Sequence, residues 1–227
     1  MYSTVEEKLY KFFSKFPLIE YKKSNILLRP EDSPQGISYL SQGYVRIFFI
    51  TKDGHEFTLN IFKPGSFFPL TWAISDIDNN YFYEAMSDIQ ILRVPKDVFL
   101  DFIRKDREIL YLINHRLLVG IDGMTSRLEY LITGDARCKV ANVLLMLGRR
   151  FGKPNLKSGH VKIDFNITQK DIAQLAGLTR ETVCYEMKKL EANKSIKHDN
   201  NAYIICNVKK LNTGNLISRS GVTPQTL

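Results

Sequence analysis

The stretch at residues 168–191, TQKDIAQLAGLTRETVCYEMKKLE, constrains the fold more than any other part of the chain, because it reads as two short helices joined by a tight turn. Thr168 and Thr179 stand where helix N-caps are expected, and Asp171 falls in the first turn of the first helix. Gly177 lies between the two helices, where a left-handed residue often ends a helix. This spacing predicts a helix-turn-helix.

The second helix of this pair has two different faces. On its inner face, Val183, Met187 and Leu190 are predicted to pack against the first helix and the turn. The apolar surface there is formed by four residues: Ile172, Ala173, Ala176 and Leu178. The opposite face carries five side chains at helical spacing: Arg180, Glu181, Cys184, Tyr185 and Lys188. Such a row can enter the major groove of DNA, where Arg pairs with guanine and Glu accepts a hydrogen bond from cytosine. The candidate DNA-binding set also includes four residues near the helix N-termini: Thr168, Gln169, Thr179 and Thr182. Similar helix pairs also occur as purely structural units.

The positive charge of the chain is concentrated in the same region. The net charge is +8, yet residues 1–134 hold 16 Lys and Arg against 17 Asp and Glu. Residues 135–227 hold 16 against seven, a balance of +9. Such asymmetry indicates a nucleic acid or another anionic partner for the C-terminal part, with a solvated basic face as the alternative.

The N-terminal half changes from a helical to a strand pattern. Apolar residues at helical spacing predict an amphipathic helix over residues 4–16, with Thr4 and Glu7 as a capping box. Short β-rich runs separated by Gly and Pro follow, and Asp53–Gly54 predicts a hairpin between VRIFFIT and HEFTLNIF. Further strands are predicted in NYFYEAM and IQILRVP. Turns at this spacing favour a sandwich, barrel or jelly roll.

A long helix with a heptad pattern is predicted from about residue 106. Two apolar rows repeat every seven residues, and they form the candidate dimer interface: Leu110, Leu117, Met124 and Leu131 in one row, Asn114, Ile121 and Leu128 in the other. This pattern is typical of a coiled coil with a second copy of the helix, and an Asn at such a position helps to set register. The same stripe could instead pack on the chain's own β domain.

A hinge and a wing complete the predicted C-terminal domain. Gly134 breaks the long helix, and a further amphipathic helix follows at residues 140–151. A hairpin around Asp199–Asn201 would form a wing, and three residues are candidates for phosphate contact there: Lys197, His198 and Lys209.

Cysteine usage and hydropathy indicate a reduced, cytoplasmic protein. The three cysteines, Cys138, Cys184 and Cys206, lie far apart, so free thiols are expected rather than a metal site or a disulfide. The N-terminal residues mix Lys and Glu into the apolar pattern, unlike a signal peptide, and no apolar run is long enough to span a membrane.

The order of these parts, with ITQKDIAQLAGLTRETV in the helix pair, resembles the Crp/Fnr superfamily of bacterial transcription regulators. The resemblance implies an α+β fold: an N-terminal β jelly roll like a cyclic-nucleotide-binding domain, a long dimerisation helix, and a C-terminal winged helix-turn-helix. The expected boundaries are 1–105, 106–133 and 134–212, with a polar tail at 213–227. Three partners are implied: double-stranded DNA, a second copy of the chain, and RNA polymerase.

The sequence departs from the cyclic-nucleotide-binding members of this family. They carry a Gly-Glu-Leu element and a downstream Arg, whereas GSFFPLTWAISDIDNNYFYEAM has neither, and no Lys or Arg occurs at residues 64–92. A cyclic phosphate would therefore lack a two-pronged cationic partner. This segment is aromatic instead, and its candidate effector-pocket residues are Phe67, Phe68, Trp72 and Tyr83, with ordinary core packing as the alternative. The effector is not identified by the sequence, and no cofactor motif is evident.

An enzyme is not expected. A cupin metal site needs a His-x-His cluster with a carboxylate, and His55–Glu56 stands alone. His115 on the long helix is either a plain surface residue or a haem ligand. The second functional hypothesis is a ligand-binding sensor whose winged domain docks a protein partner.

Overall fold

The computed structural model describes residues 4–155, 158–163, 165–199 and 202–211. The chain forms two compact units that divide between Ile121 and Asp122. The predicted α+β fold is confirmed: an antiparallel β domain is followed by a long helix and a helix-turn-helix domain. The predicted tail at 213–227 and the turn residues 200–201 lie outside the described residues.

The N-terminal unit begins with one helix and eight strands of a β-sandwich. Helix α1 is Thr4–Phe13, and the strands are β1 Leu18–Tyr21, β2 Ile26–Leu28, β3 Ile37–Gln42, β4 Val45–Ile50, β5 Glu56–Phe62, β6 Phe67–Phe68, β7 Phe82–Ala85 and β8 Ile89–Val94. One sheet has the order β1-β8-β3-β6 and the other β2-β7-β4-β5, and every pairing is antiparallel. The hairpin predicted at Asp53–Gly54 is confirmed as the connection between β4 and β5.

Strand alternation gives this unit two apolar cores. On β8, Ile89 and Ile91 point into the sandwich, while Leu92 and Val94 point to the opposite side of their sheet. That opposite side is covered by α1 and by the helices that follow the sandwich. A single strand with apolar residues at successive positions therefore serves both cores.

Three helices follow or interrupt the sandwich: α2 Leu70–Ser75, α3 Lys96–Lys105 and α4 Arg107–Thr133. The short α2 was not predicted, since its residues are aromatic and apolar without a helical period. Helix α4 is continuous over 27 residues, through both Gly120 and Gly123. The two compact units divide within this helix.

The C-terminal unit carries α5 Ala136–Phe151, β9 Gly152–Pro154, β10 Val161–Ile163, α6 Gln169–Ala176, α7 Arg180–Ala192, β11 Ile196–Asp199, β12 Ala202–Ile205 and α8 Val208–Leu211. Its strands form an antiparallel sheet in the order β11-β12-β10-β9. Asp135 caps α5 by accepting a 2.7 Å hydrogen bond from the backbone N–H of Cys138. None of the helices in the described part of the chain combines the length and apolarity that a membrane span requires.

Candidate functional site

The turn between α6 and α7 is built from the residues that the sequence indicated. The hydroxyl of Thr168 accepts a 3.2 Å hydrogen bond from the backbone N–H of Asp171, whose carboxylate accepts a 2.8 Å bond from the backbone N–H of Thr168. This reciprocal pair is a capping box. Gly177 ends α6 with φ 62°, a left-handed conformation that glycine adopts without steric cost. The hydroxyl of Thr179 then caps α7 by accepting from the backbone N–H of Thr182 at 3.2 Å.

Helix α7 separates buried apolar residues from exposed polar ones. Val183, Met187 and Leu190 are each at most 1% exposed. Of the predicted contact residues on α7 itself, four are exposed: Arg180, Glu181, Tyr185 and Lys188; the N-cap residue Thr179 is exposed as well. Thr182 and Cys184 are half-buried at the border between the faces. The outer face is therefore free within the chain to meet a partner.

Tyr185 is held by its neighbour on the next turn. Its side chain is 61% exposed, and the Nζ of Lys189 lies 4.0 Å from the centre of its ring. Lys189 also donates a 2.9 Å hydrogen bond to the Glu186 carboxylate, and this bond raises the pKa of Lys189. Because a cation covers one face of the phenol, Tyr185 offers its hydroxyl, its ring edge and the opposite face to a partner.

The two α6 residues of the predicted set differ in their surroundings. Thr168 is exposed, whereas Gln169 is half-buried and makes a side-chain hydrogen bond with Tyr203 of β12. Burial raises the pKa of Tyr203, and the bond from Gln169 opposes that rise. Gln169 therefore also ties the helix pair to the wing sheet.

The wing strand β11 presents two of the predicted phosphate-contact residues at its surface. Lys197 and His198 are exposed on β11, and the His198 ring packs on Tyr203 with the centroids 4.7 Å apart. Lys209 is exposed on α8.

Helix α4 exposes a row of apolar side chains. Of the predicted dimer residues, Asn114, Leu117, Ile121, Met124 and Leu128 are exposed. Leu110 packs on the apolar core beside α1, and Leu131 is half-buried. The most exposed apolar residues on this helix each follow a predicted row residue directly in the sequence. They are Tyr111, Leu118 and Ile132, which are 75%, 66% and 78% exposed.

The four candidate effector-pocket residues are divided between the two apolar cores. Phe67 and Trp72 belong to the core beside α1, where the Nζ of Lys96 lies 4.9 Å from the centre of the Trp72 ring. Phe68 and Tyr83 stack inside the sandwich with their centroids 5.3 Å apart. Burial raises the pKa of Tyr83. All four side chains therefore take part in core packing.

Sequence reasoning missed two arginines that the fold partly or fully encloses. Arg127 on α4 is 7% exposed, and Arg93 on β8 is half-buried. The alternation Ile89, Ile91, Arg93 was a signal for the second, because it assigns Arg93 to the inner face of its sheet. No comparable pattern marked Arg127.

The described residues contain no group of three or more His, Cys, Asp or Glu side chains arranged to hold a metal ion. His115 is exposed on α4. Cys138 is buried, while Cys184 and Cys206 are half-buried, and all three are free thiols.

Comparison with known proteins divides the chain in the same way as its architecture. Residues 18–106 match the model of the cyclic nucleotide-binding domain, and residues 138–213 match that of the Crp-like helix-turn-helix domain. The chain is 24% identical to the global nitrogen regulator of Nostoc sp., over 79% of this chain and 81% of that protein. It is 26% identical to the transcriptional regulator SdrP of Thermus thermophilus, over 73% and 77%.

Solved structures show the same fold. A CooA mutant from Carboxydothermus hydrogenoformans superposes with a TM-score of 0.74 at 21% identity, covering 88% of each chain. TTHA1359, a transcriptional regulator of the CRP/FNR family from Thermus thermophilus, gives 0.67 at 23% identity, covering 86% of this chain and 96% of that one.

Proposed function

Because the chain belongs to the Crp/Fnr superfamily of transcription regulators, we propose that it binds a two-fold symmetric DNA site as a homodimer and responds to an effector in its β domain. The observation that carries this proposal is the division of α7 into a mainly apolar buried face, which also includes Glu186, and an exposed polar one. A recognition helix needs both, since one face anchors it to its domain and the other reads the groove.

The base contacts are assigned to the exposed face of α7. Arg180 is suited to guanine, whose O6 and N7 accept two parallel hydrogen bonds, and Glu181 is suited to the amino group of cytosine. Lys188 extends from the same face and is assigned to a phosphate. Thr168 at the α6 N-terminus, where backbone N–H groups point outward, is a further phosphate contact.

The balance of +9 over residues 135–227 supports the same partner. A basic domain attracts duplex DNA from a distance and releases counterions when it binds. Two exposed lysines, Lys197 on the wing strand β11 and Lys209 on α8, extend the positive surface beyond α7.

The homodimer is supported by the apolar residues that α4 leaves exposed. Ile121, Met124 and Leu128 are 55–60% exposed at heptad spacing. A second copy of this helix would bury them, and the two-fold axis would present two α7 helices to two half-sites. Symmetry of the protein then requires a palindromic target.

The effector of the β domain is proposed to be other than a cyclic nucleotide. Residues 64–92 contain no cation, and three cations from elsewhere in the chain, Lys22, Arg46 and Lys96, are paired with acids of this segment. Lys96 pairs with Asp76, and Arg46, only 7% exposed, donates from Nε to Glu84 at 2.8 Å. A cyclic phosphate would have to displace a carboxylate to reach either one.

RNA polymerase is proposed as a protein partner on the strength of family membership alone. The homologues are transcription regulators and not enzymes.

Selection from a randomised duplex library tests the DNA-binding function. The purified protein is expected to enrich a palindromic sequence and to bind it with an affinity that falls steeply as salt is raised. Failure to enrich any sequence, with weak binding of duplex DNA even at low salt, would favour a winged domain that docks a protein.

A further inference from the structure

A cavity of about 390 Å³ lies in the β domain, at one end of the sandwich. Its polar lining includes Tyr21, Gln35, Ser38 and Arg93, from β1, the β2–β3 connection, β3 and β8. Its apolar lining includes Leu27, Leu28 and Phe68. Both sheets contribute to this lining, and the volume falls in the range of small-molecule pockets, roughly 300–1,000 Å³.

Arg93 occupies a core-facing position. It shares the inner face of its sheet with Ile89 and Ile91, which are 2% and 0% exposed. The side chain lies opposite Ser38 of β3 and remains half-buried. Partial removal of a guanidinium from water is costly unless it is well paired, so a position like this calls for an anionic partner.

The protein supplies Arg93 with neutral partners. Its Nε donates to the Ser38 hydroxyl at 3.4 Å, Nη1 to the Gln35 amide oxygen at 3.0 Å, and Nη2 to the Tyr21 hydroxyl at 3.1 Å. Over the described ranges of the chain, Arg93 makes no ion pair, and two of its five N–H groups have no hydrogen-bond acceptor. Arg46 in the same domain is instead paired with two carboxylates.

The β2–β3 loop, which lines the cavity, is held by hydrogen bonds. Asn79, 6% exposed, donates from Nδ2 to the main-chain oxygens of Arg29 and Tyr81, both at 2.7 Å. The Asp32 carboxylate, which also lines the cavity, accepts a 2.8 Å bond from the backbone N–H of Arg29. Gly36, at φ 140°, lets the loop approach β8 so closely that a Cβ there would lie 2.3 Å from the Val94 oxygen. A pocket held in this way needs little reordering to bind a ligand.

We propose that this cavity binds a small organic carboxylate, with Arg93 as the anchor of its acid group and Leu27, Leu28 and Phe68 around its hydrocarbon part. A guanidinium flanked by a phenol and a hydroxyl suits the planar, singly charged carboxylate. The nearby Asp32 disfavours a doubly charged phosphate, because a single cation cannot offset both charges. The inference rests on the proposed function, in that it assigns the chemical class of the effector.

A matched pair of ligands tests the acid group. Hexanoate and hexanamide are titrated into the full-length protein at constant chloride, and binding is read by saturation-transfer NMR without DNA. Hexanoate is expected to bind about tenfold or more tightly than hexanamide, as for a charge-assisted hydrogen bond. Inorganic phosphate, which lacks a hydrocarbon part, is expected to bind more weakly than hexanoate.

Arg93→Gln is expected to remove the preference for hexanoate over hexanamide. Arg29→Gln is the matched control, since the exposed side chain of Arg29 belongs to the loop after β2 that lines the cavity. Arg93→Lys keeps the positive charge but cannot make two parallel hydrogen bonds to a carboxylate, so it is expected to weaken hexanoate binding in part. If Arg93→Gln fails to fold, the ligand pair on the wild-type protein still decides.

Three results would overturn the proposal: no hexanoate binding up to about 20 mM, equal binding of hexanamide or phosphate, or undiminished binding to a folded Arg93→Gln. Duplex binding of the same samples separates this site from the proposed function. If the protein binds hexanoate but no DNA, the carboxylate site is supported and the proposed DNA-binding function is contradicted. If it binds DNA but no hexanoate, the function is supported and the carboxylate site is contradicted.

Discussion

The Nη2 of Arg127 on α4 donates a 2.6 Å hydrogen bond to the main-chain oxygen of Leu175 on α6. Leu175 lies in the last turn of its helix, where carbonyl groups have no partner within the helix and carry partial negative charge. Burial lowers the pKa of Arg127 by disfavouring the charged form. The guanidinium therefore caps the first helix of the helix-turn-helix from inside the C-terminal unit.

Replacement of this cap is expected to destabilise the C-terminal unit. Arg127→Met removes the donor and leaves a buried carbonyl unsatisfied, which costs about 1–3 kcal/mol of unfolding free energy. Amide hydrogen exchange in α6 measures the local effect, and urea unfolding measures the total. Arg137→Met, at an exposed position of α5, is the control and should change neither. Equal protection of α6 in both variants would contradict the capping role.

Base preference is expected to change at the position facing Tyr185. A phenol cannot make the two-pronged contact with guanine O6 and N7, so Tyr185→Arg should introduce a guanine preference of about 1–3 kcal/mol. Tyr185→Phe keeps the ring. Because a ring that packs on a thymine methyl does not need the hydroxyl, this variant should select the same DNA sequence as the wild-type protein. Selection from a randomised duplex library compares the three proteins. The same selected sequence for wild type and Tyr185→Arg would mean that this face does not read the groove.

Loss of a phosphate contact should leave sequence preference intact. Lys188→Ala is expected to weaken binding to all duplexes alike and to reduce the slope of log affinity against log salt by about one. Fluorescence anisotropy over a salt series measures both quantities. Lys15→Ala, an exposed lysine beyond α1, should leave the slope unchanged. A slope that also stays constant in Lys188→Ala would remove this lysine from the interface.

A charge on the exposed face of α4 should separate the homodimer. Leu117→Glu would bring two like charges into an apolar seam and favour monomers. Ile74→Glu on α2 is the control, because the two side chains are similarly exposed, 45% and 46%. Sedimentation velocity distinguishes the species. An unchanged dimer in Leu117→Glu would argue against this seam.

Cyclic AMP and cyclic GMP are expected to show no useful affinity. In the segment at residues 64–92, where the family's cyclic-nucleotide-binding members carry their Arg, the pairing of Lys96 with Asp76 and of Arg46 with Glu84 leaves neither cation available to a cyclic phosphate. Calorimetric titration measures this directly, and duplex binding by the same preparation shows that the protein is folded. Micromolar binding of either nucleotide would overturn the expectation.

Local pattern was sufficient for the helix-turn-helix and for the hairpins. Capping by Thr168 and Thr179 and the turn at Gly177 depend on residues within a few positions of one another, so their spacing determines the geometry. The same holds for the β4–β5 hairpin at Asp53–Gly54. Periodicity likewise sorted the buried from the exposed side of α7.

Pairing across the chain was decided only by the tertiary structure. Arg93 joins Tyr21 and Gln35, 72 and 58 positions away, because the antiparallel strand order brings β1, β8 and β3 together. Arg127 meets Leu175 across 48 positions for a similar reason. Sequence alone determined the helix-turn-helix, the β4–β5 hairpin and the apolar side of α7, since these follow from local spacing, whereas the short helix α2 was not predicted. Which polar group lies against which depended on strand order and helix packing, because contacts between distant residues form only when the cores assemble.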